Sequence, residues 1–312
     1  MTHHPSVSAS QVLDRPLVIG ASGLVGGALF ARLRRGGGTV RGTWHTHPRE
    51  GLEPYSTAAD SPAFLDSRSP TLVVLASALT HVDYCETHPE EAFERNVEQL
   101  RPIALWCDRH RVPLVFFSTD YVFDGRSGPY DEAAEPAPLN VYGRTKLAGE
   151  RIMDAVALGL VVRITNVFDI GFDDRNFLHR CVTQLRDRGA LVVASDQLAT
   201  PAYATWLADQ LVGLIERGAL AHAGSVRLVH AGCDDLVSRG DFARRVAERL
   251  GADPSHIEER PTSSLNQPAR RPLRGGLRND RWKSMLGVGR IALDDALDEL
   301  MPRMRTLYEH HA

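Results

Sequence analysis

The chain of 312 residues contains only four cysteines, Cys85, Cys107, Cys181 and Cys233, and they lie far apart. None of them forms a C-x-x-C pair, so the sequence argues against a disulfide framework and against a metal site. This cysteine usage is typical of a reducing compartment. We therefore expect a cytoplasmic protein with no bound metal.

The chain also lacks a long apolar run and a large net charge. No segment approaches the ~20 apolar residues of a membrane-spanning helix, and residues 1–15 are polar, so we expect neither a membrane span nor a signal peptide. The formal net charge is −3, with acidic and basic residues interspersed, which argues against a nucleic-acid-binding surface. Since 43% of the residues are hydrophobic, a substantial core can form.

A glycine-rich turn joins the apolar run Leu17-Val18-Ile19 to a helical pattern. The turn reads Gly20-Ala21-Ser22-Gly23-Leu24-Val25-Gly26. Between a strand and a helix, the backbone N–H groups of such a turn and the positive end of the helix dipole can bind a pyrophosphate. Taken alone, the turn leaves a structural role open, because glycines also end strands and open loops.

A second segment, Tyr142-Gly143-Arg144-Thr145-Lys146, carries a proton-transfer pattern. Tyr142 and Lys146 are four residues apart among good helix formers, so both side chains project from one helix face. A free phenol has a pKa of about 10, and an adjacent ammonium group lowers it toward the range useful for catalysis. An ordinary solvated face is the alternative for an isolated Tyr-x-x-x-Lys, but the glycine-rich turn upstream favours a redox enzyme.

Apolar runs and helical patterns alternate in the first half of the chain, which predicts an α/β protein with a Rossmann, doubly wound parallel sheet. The predicted strands are residues 17–20, 39–44, 72–75, 114–118 and 160–164. The predicted helices are residues 24–34, 90–110 and 141–158, and Pro102 indicates either a kink or a wrong boundary in the second of these.

The spacing changes after about residue 165, where helical stretches are joined by Gly-, Pro- and Arg-rich loops. We predict helices 176–189, 205–217, 238–250 and 293–308, the last one broken at Pro302, and strands 191–193 and 226–230. Residues 1–165 are expected to form mainly an NAD(P)-binding Rossmann domain. Residues 166–312 are expected to form mainly a smaller C-terminal substrate-binding domain, with the chain crossing between the two parts.

Two blocks in the middle of the chain resemble the extended short-chain dehydrogenase/reductases, and among them the dTDP-4-dehydrorhamnose reductase family. The blocks are Ser118-Thr119-Asp120-Tyr121-Val122-Phe123-Asp124-Gly125 and Pro138-Leu139-Asn140-Val141-Tyr142-Gly143-Arg144-Thr145-Lys146-Leu147-Ala148-Gly149-Glu150. Less specific matches are Asp196-Gln197, Thr200-Pro201, His230-Ala231-Gly232 and Arg271-Pro272. The resemblance therefore covers nearly the whole chain.

The resemblance implies that Tyr142, Lys146 and Thr119 are the catalytic residues. Tyr142 would donate a proton, Lys146 would lower its pKa and hold the nicotinamide ribose, and Thr119 would bond the reacting oxygen. Asp120 and Tyr121 are implied to contact the substrate. The alternative for the Ser-Thr-Asp cluster is a helix cap or a turn.

The residues after the second and third strands bear on the cofactor. An NAD-specific site places an acidic residue about 20 positions beyond the glycines, but residues 41–49 contain none and Glu50 is the first acid. We therefore expect NADPH, with His45 near its 2′-phosphate and NADH as the alternative. The predicted cofactor-binding residues are Gly20, Gly23, Leu24, Val25, Gly26, His45, Ala76, Ser77, Ala78, Tyr142 and Lys146.

Two further features concern the substrate. The loop that contains Arg271 is rich in arginine, and the simplest interpretation is an exposed basic segment. Its Arg271-Pro272 matches a family segment that lines the nucleotide end of the pocket. The resemblance therefore implies that Arg271 contacts a diphosphate. Asn166 is a departure, because many relatives carry at this place a tryptophan that packs against the sugar. We still predict that Asn166 contacts the substrate. The sequence determines the type of reaction better than it determines the identity of the substrate.

These patterns predict that the protein reduces the 4-keto group of a nucleotide-activated 6-deoxyhexose. The alternatives are an NADP-binding regulatory subunit, similar to the beta subunit of methionine adenosyltransferase, and a ketoreductase or epimerase of the same fold with another substrate. The expected partner is a nucleotide sugar, with no nucleic acid and no membrane. The sequence does not determine the oligomeric state, and a homodimer stays open.

Overall fold

A seven-stranded parallel sheet forms the centre of the computed structural model, which describes residues 8–46, 48–55, 61–220 and 227–309. The strands are β1 Pro16–Ile19, β2 Arg41–Trp44, β3 Glu53–Pro54, β4 Leu72–Leu75, β5 Leu114–Thr119, β6 Gly159–Ile164, β7 Leu191–Ala194, β8 Leu198–Ala199, β9 Leu228–His230, β10 Val237–Ser238 and β11 Ile257–Arg260. The large sheet has the order β3-β2-β1-β4-β5-β6-β9, and two small sheets pair β8 with β10 and β7 with β11. The order of the first six strands is that of a Rossmann fold, so the predicted fold class is confirmed.

The helices lie between the strands in chain order. They are α1 Ala9–Val12, α2 Leu24–Arg35, α3 Ser61–Arg68, α4 Val82–Thr87, α5 Pro89–Phe93, α6 Leu100–His110, α7 Val141–Met153, α8 Phe177–Arg186, α9 Ala204–Glu216, α10 Arg239–Leu250, α11 Asp280–Leu286 and α12 Leu293–Glu309. A π-helical turn, Glu94–Glu98, separates α5 from α6, and a 3₁₀ turn, Asp120–Val122, follows β5. The elements that the sequence did not predict are α1, α3, α4, α11, β3, β8, β10 and β11.

Both faces of the central sheet are buried, because successive side chains of a strand point to opposite faces. On one face, Val18 and Val162 pack in a core that includes α2 and α9 and continues into α8, α10 and α12. On the other face, Val73 and Phe116 pack in a core with residues of α3 and α6. The polypeptide beyond residue 165 shares the first core and returns to the sheet through β9. The division of the whole chain into a cofactor-binding part and a substrate-binding part stays a prediction.

The predicted helix 90–110 is wrong as one continuous helix, because the π-helical turn interrupts it. The turn places Asn96 where its side chain bonds the backbone of Leu79 and the hydroxyl of Thr145. Pro102 does not cause the interruption. It lies in the first turn of α6, where backbone N–H groups lack partners within an ordinary helix.

Other boundaries also differ from the predictions. Helix α7 ends at Met153, five residues early, because the chain must turn there to enter β6. Helix α12 continues past Pro302 without a break, because that residue lies on the solvent side while Leu297, Leu300 and Met304 hold the helix in the core. Residue 226 of the predicted strand 226–230 lies outside the described residues, and β9 begins at Leu228.

Three of the initial expectations concern cysteines, membrane spans and metal ligands. All four cysteines are buried and free. Across the described ranges, no helix has both the length and the apolar composition needed to cross a bilayer. Among the described residues, no three or more His, Cys, Asp or Glu side chains form a group that could hold a metal ion.

His230 of β9 is buried and makes two side-chain contacts. Its Nδ1 lies 3.1 Å from the carbonyl oxygen of Tyr130, and its Nε2 lies 3.3 Å from Nη1 of Arg163. Burial, followed by the Arg163 guanidinium, lowers the pKa of His230 to about 3. The neutral ring therefore donates to Tyr130 through Nδ1 and accepts from Arg163 through Nε2.

We expect the protein to lose stability as the pH falls from about 6.5 toward about 3, because the unfolded chain then binds a proton at His230 that the folded chain excludes. The stability that the neutral His230 contributes is fully present above the unfolded pKa. His230→Gln removes this titration, so its Tm should fall less than that of the wild type between about pH 7 and pH 5. Calorimetry of both proteins measures the difference.

The matched control for this experiment is His110→Gln, a substitution of a histidine with 44% of its side chain exposed. It should keep the pH slope of the wild type. An unchanged slope in His230→Gln would contradict the assignment of a buried neutral imidazole.

Candidate active site

The glycine-rich turn packs tightly between the ends of β1 and β4. Gly20 has φ +91°, and a Cβ atom there would lie 2.6 Å from the backbone nitrogen of Ser77. A Cβ atom on Gly26 would lie 2.1 Å from the carbonyl oxygen of Gly20. Only glycine fits at either position, and the close approach brings the predicted residues Ala76, Ser77 and Ala78 beside the turn.

The turn leads directly into the N-terminus of α2. Gly23 is the N-cap and makes no side-chain capping bond, and the first turn of the helix contains no acidic residue. Leu24 and Val25 are partly exposed. The first N–H groups of α2 therefore have no side-chain acceptor, and together with the helix dipole they suit an anionic group such as a pyrophosphate.

The end of β2 has no unpaired carboxylate in the described part of the chain. His45 follows this strand and is exposed. The nearest acid on the neighbouring strand, Glu53 of β3, accepts hydrogen bonds from Arg41 at 2.6 Å and from Arg68 at 2.7 Å. Since both carboxylate oxygens are engaged by arginines, Glu53 does not offer the ribose contact that an NAD-specific site requires.

The three predicted catalytic residues meet at the carboxyl edge of the sheet. Thr119 is the last residue of β5, while Tyr142 and Lys146 lie one turn apart on α7. Asn140 fixes the start of α7, because its side chain accepts from the N–H of Gly143 at 2.8 Å and donates to the carbonyl of Arg270 at 2.7 Å. The Thr119 hydroxyl lies close enough to Tyr142 to act on the pKa of its phenol.

Two glycines allow α7 to lie close to the sheet. A Cβ atom on Gly143 would lie 2.1 Å from the carbonyl oxygen of Tyr121, and one on Gly149 would lie 2.6 Å from the ring of Phe116. Farther along the helix, Glu150 binds Arg163 of β6 through bonds of 2.8 and 2.6 Å and accepts a hydrogen bond from Ser118 of β5. These contacts fix the register of α7 against β5 and β6.

Burial shifts the pKa values of Tyr142 and Lys146, the two predicted catalytic residues on α7, in opposite directions. It raises the pKa of Tyr142 well above its usual range, with the hydrogen bond to Thr119 acting against this change. It lowers the pKa of Lys146 to about 7, and the Glu150 carboxylate opposes this shift. The Lys146 Nζ also lies 4.0 Å from the centre of the Phe116 ring, a favourable cation–π distance. Tyr142 is therefore protonated near neutral pH, and burial outweighs the lowering of its pKa that was expected from Lys146.

A cavity of about 600 Å³ lies next to these residues. Tyr121 joins the two regions, since it lines the cavity and its ring centre is 5.7 Å from that of Tyr142. The polar lining consists of Asn166, Asp174, Arg175, Asn176, Arg180, Gln197, Arg239, Gln267 and Arg271. With four arginines and one acidic residue among the described lining residues, the cavity suits an anionic ligand.

Of the predicted substrate residues, Tyr121, Asn166 and Arg271 line this cavity and Asp120 does not. Arg271 is nearly buried and pairs with Asp83 at 2.7 Å. The Asp120 carboxylate is buried and accepts from the N–H of Gly276 at 3.3 Å, so it holds the C-terminal loop against β5. Contact of Asp120 with a substrate stays a prediction.

The sequence interpretation missed three of the cavity arginines, Arg175, Arg180 and Arg239. They come from the segment before α8, from α8 and from the start of α10, and the fold rather than the sequence brings them together. One local signal was available. Ser238 and Asp241 form a capping box, which marks the helix start that carries Arg239.

Comparison with known proteins supports these assignments at the level of family and fold. The model of the RmlD substrate binding domain family matches residues 15–306. The chain is 34% identical over 275 residues to a dTDP-4-dehydrorhamnose reductase of Streptomyces griseus, covering 86% of this chain and 87% of that protein. It is 31% identical over 294 residues to a probable low-salt glycan biosynthesis reductase of Haloferax volcanii, covering 91% and 96%. A structure of the dTDP-4-dehydrorhamnose reductase of Bacillus anthracis in complex with NADP has a TM-score of 0.80 at 21% identity, covering 93% and 99%, and so shares the fold.

The exposed position of His45 after β2 provides a test of cofactor choice. We expect His45→Asp to lower kcat/KM for NADPH by roughly tenfold, because a carboxylate there would repel the 2′-phosphate. The value for NADH should change much less. Steady-state kinetics with each cofactor measures both effects, with His110→Asp on α6 as the control. Equal or better use of NADH by the wild-type protein would overturn the expected preference.

Proposed function

The chain belongs to the dTDP-4-dehydrorhamnose reductase family of the extended short-chain dehydrogenase/reductases, and we propose that it reduces the 4-keto group of a nucleotide-activated 6-deoxyhexose with NADPH. The observation that carries this proposal is the meeting of Thr119, Tyr142 and Lys146 at one edge of the sheet. The glycine-rich turn lies on one side of this group and the arginine-lined cavity on the other. We also propose a cytoplasmic location, which the four buried and free cysteines support.

The residues present fit a dinucleotide. Gly20 and Gly26 leave a tight cradle that any side chain would fill, and the N-terminus of α2 supplies uncapped N–H groups for a pyrophosphate. When NADPH is bound there, it supplies the hydride. Lys146, four residues beyond Tyr142, would hold the nicotinamide ribose, and the exposed His45 would lie near the 2′-phosphate.

The proton comes from the protein. Tyr142 donates its phenolic proton to the carbonyl oxygen of the substrate, and the Thr119 hydroxyl bonds the same oxygen and orients the phenol. As Tyr142 loses its proton, the cation of Lys146 stabilises the phenolate, which burial would otherwise disfavour. The buried surroundings make this electrostatic contribution stronger than it would be in water.

The cavity accounts for the nucleotide part of the substrate. Tyr121 lies between the catalytic group and the cavity, so a ligand that extends past Tyr121 places one end near Tyr142 and the other among the arginines. Binding energy from the nucleotide can then position the reacting carbonyl. A free 4-keto sugar should therefore lose kcat as well as affinity.

Tyr142→Phe tests the proton donor. We expect it to lower kcat by about a hundredfold or more, the usual scale for a lost general acid, while the Kd for NADPH changes little. Lys146→Ala should impair both turnover and NADPH binding. Single-turnover kinetics and cofactor titration separate the two effects. Retention of most of the turnover in Tyr142→Phe, with chemistry rate-limiting, would show that the donor is misassigned.

The substrate class is tested with a panel of dTDP- and UDP-linked 4-keto-6-deoxyhexoses and a simple ketone that lacks a nucleotide. We expect reduction of one or more nucleotide sugars and a much poorer rate with the free sugar. Arg271→Gln should raise the KM for the nucleotide sugar by about tenfold or more and leave the free sugar unaffected, whereas the exposed Arg278→Gln should behave as wild type. Efficient reduction of the simple ketone alone would refute the sugar-nucleotide assignment.

A further inference from the structure

Arg239 is a cation in the cavity wall without an acidic partner in the described part of the chain. It is the first residue of α10, and its Nη2 donates to the Asn166 side-chain oxygen at 2.9 Å. The guanidinium carbon lies 4.6 Å from the centre of the Phe177 ring. A neutral amide and an aromatic face orient the group, but neither compensates its charge.

The surroundings of Arg239 destabilise its positive charge, which a nearby negative charge would compensate. Burial lowers its pKa, and the nearby cations Arg180 and Arg271 act in the same direction. Arg271 is compensated by Asp83 at 2.7 Å, whereas Arg239 has no such ion pair within the described ranges. Because a buried charge is costly unless it is paired, the missing partner of Arg239 is best supplied by a ligand.

The pair formed by Asn166 and Arg239 lies near the end of the cavity that is closest to Tyr142. Asn166 lies two residues beyond Ile164 of β6, which is the register partner of Thr119 on β5, and adjacent strands are about 4.8 Å apart. Arg239 and Arg271 line the same cavity as Tyr121, whose ring centre lies 5.7 Å from that of Tyr142 and 6.0 Å from the Arg271 guanidinium carbon. The anion that meets Arg239 therefore lies near the reacting sugar.

We infer that Arg239 binds the phosphate group of the substrate that adjoins the sugar, and that Asn166 is a positioning residue for its guanidinium. This inference rests on the proposed function, which supplies a diphosphate as the ligand. Asn166 has φ +42°, a left-handed conformation that asparagine tolerates better than most residues. At the place where many relatives stack a tryptophan on the sugar, this chain uses a short amide to orient a cation.

The test is isothermal titration calorimetry of the protein saturated with NADP⁺, with dTDP, inorganic pyrophosphate and thymidine as probes. Arg239→Gln should weaken dTDP and pyrophosphate by about tenfold to a hundredfold, the range for a lost hydrogen bond to a charged group. Thymidine has no phosphate, so its affinity should not change. The control Arg278→Gln, in the exposed part of the arginine-rich loop, should bind all three probes as wild type does.

Asn166→Asp provides a second variant that keeps the arginine in place. The nearly isosteric carboxylate would pair with Arg239, so dTDP and pyrophosphate should bind more weakly while the Tm stays at or above the wild-type value. Asn166→Ala should cause a smaller loss, because it removes the orienting acceptor without adding charge. Thymidine should again be unaffected.

Two outcomes overturn the inference. One is wild-type affinity of a folded Arg239→Gln for both dTDP and pyrophosphate, and the other is failure of the wild-type protein to bind either probe. Failure of the proposed function is seen separately. If no 4-keto nucleotide sugar is reduced while binding of dTDP still depends on Arg239, the reaction is wrong and the phosphate assignment stands.

Discussion

The buried ion pair between Glu150 of α7 and Arg163 of β6 determines how the catalytic helix lies on the sheet. Both side chains are almost fully enclosed, and Ser118 of β5 donates to the same carboxylate. Removing one partner of such a pair costs about 3–5 kcal/mol, because it leaves an uncompensated charge in the interior. Lys146 lies one turn and Tyr142 two turns before Glu150 on the same helix, so their placement against Thr119 depends on this contact. The small residues Gly143 and Gly149 then allow the helix to approach closely enough for the contact to form.

The same carboxylate has an electrostatic effect on catalysis. Burial favours the neutral form of Lys146, and Glu150 acts against that tendency from one helical turn away. Arg163 binds Glu150 and also donates to the neutral ring of His230 on β9, which in turn donates to the backbone of Tyr130. The polar network therefore runs from the catalytic helix across β6 to the last strand of the sheet. The side chains of Glu150, Arg163 and His230 therefore support the placement of Tyr142 and Lys146, the proposed proton donor and its cation.

The parts of the fold that sequence could predict are those encoded locally. Parallel strands in the interior of the sheet appear as short apolar runs, which is why β4 was predicted to the residue and β1, β2, β5 and β6 to within two residues, whereas the two-residue β3 was missed. Helix α3 has a weak apolar pattern and was missed, while the π-helical turn depends on the tertiary contacts of Asn96 and has no local signature. The catalytic pair is likewise local, because four-residue spacing on a helix sets its geometry. Arg239 could not be found in this way, since its role depends on Asn166, 73 positions earlier in the chain.

This contrast between local and long-range determinants separates the two halves of the proposed ligand site. Tyr142 and Lys146 are held by α7 and its ion pair, whereas Asn166 and Arg239 lie after β6 and at the start of α10 and make none of the contacts that position α7. A change at Asn166 or Arg239 can therefore alter which charges the cavity accepts without moving the proton donor. In the proposed site, Asn166 and the cation of Arg239 contribute to substrate binding and not to the reduction of the carbonyl. Variation in the cavity wall is in this way physically independent of the catalytic geometry, and the departure at Asn166 is compatible with retained reductase chemistry.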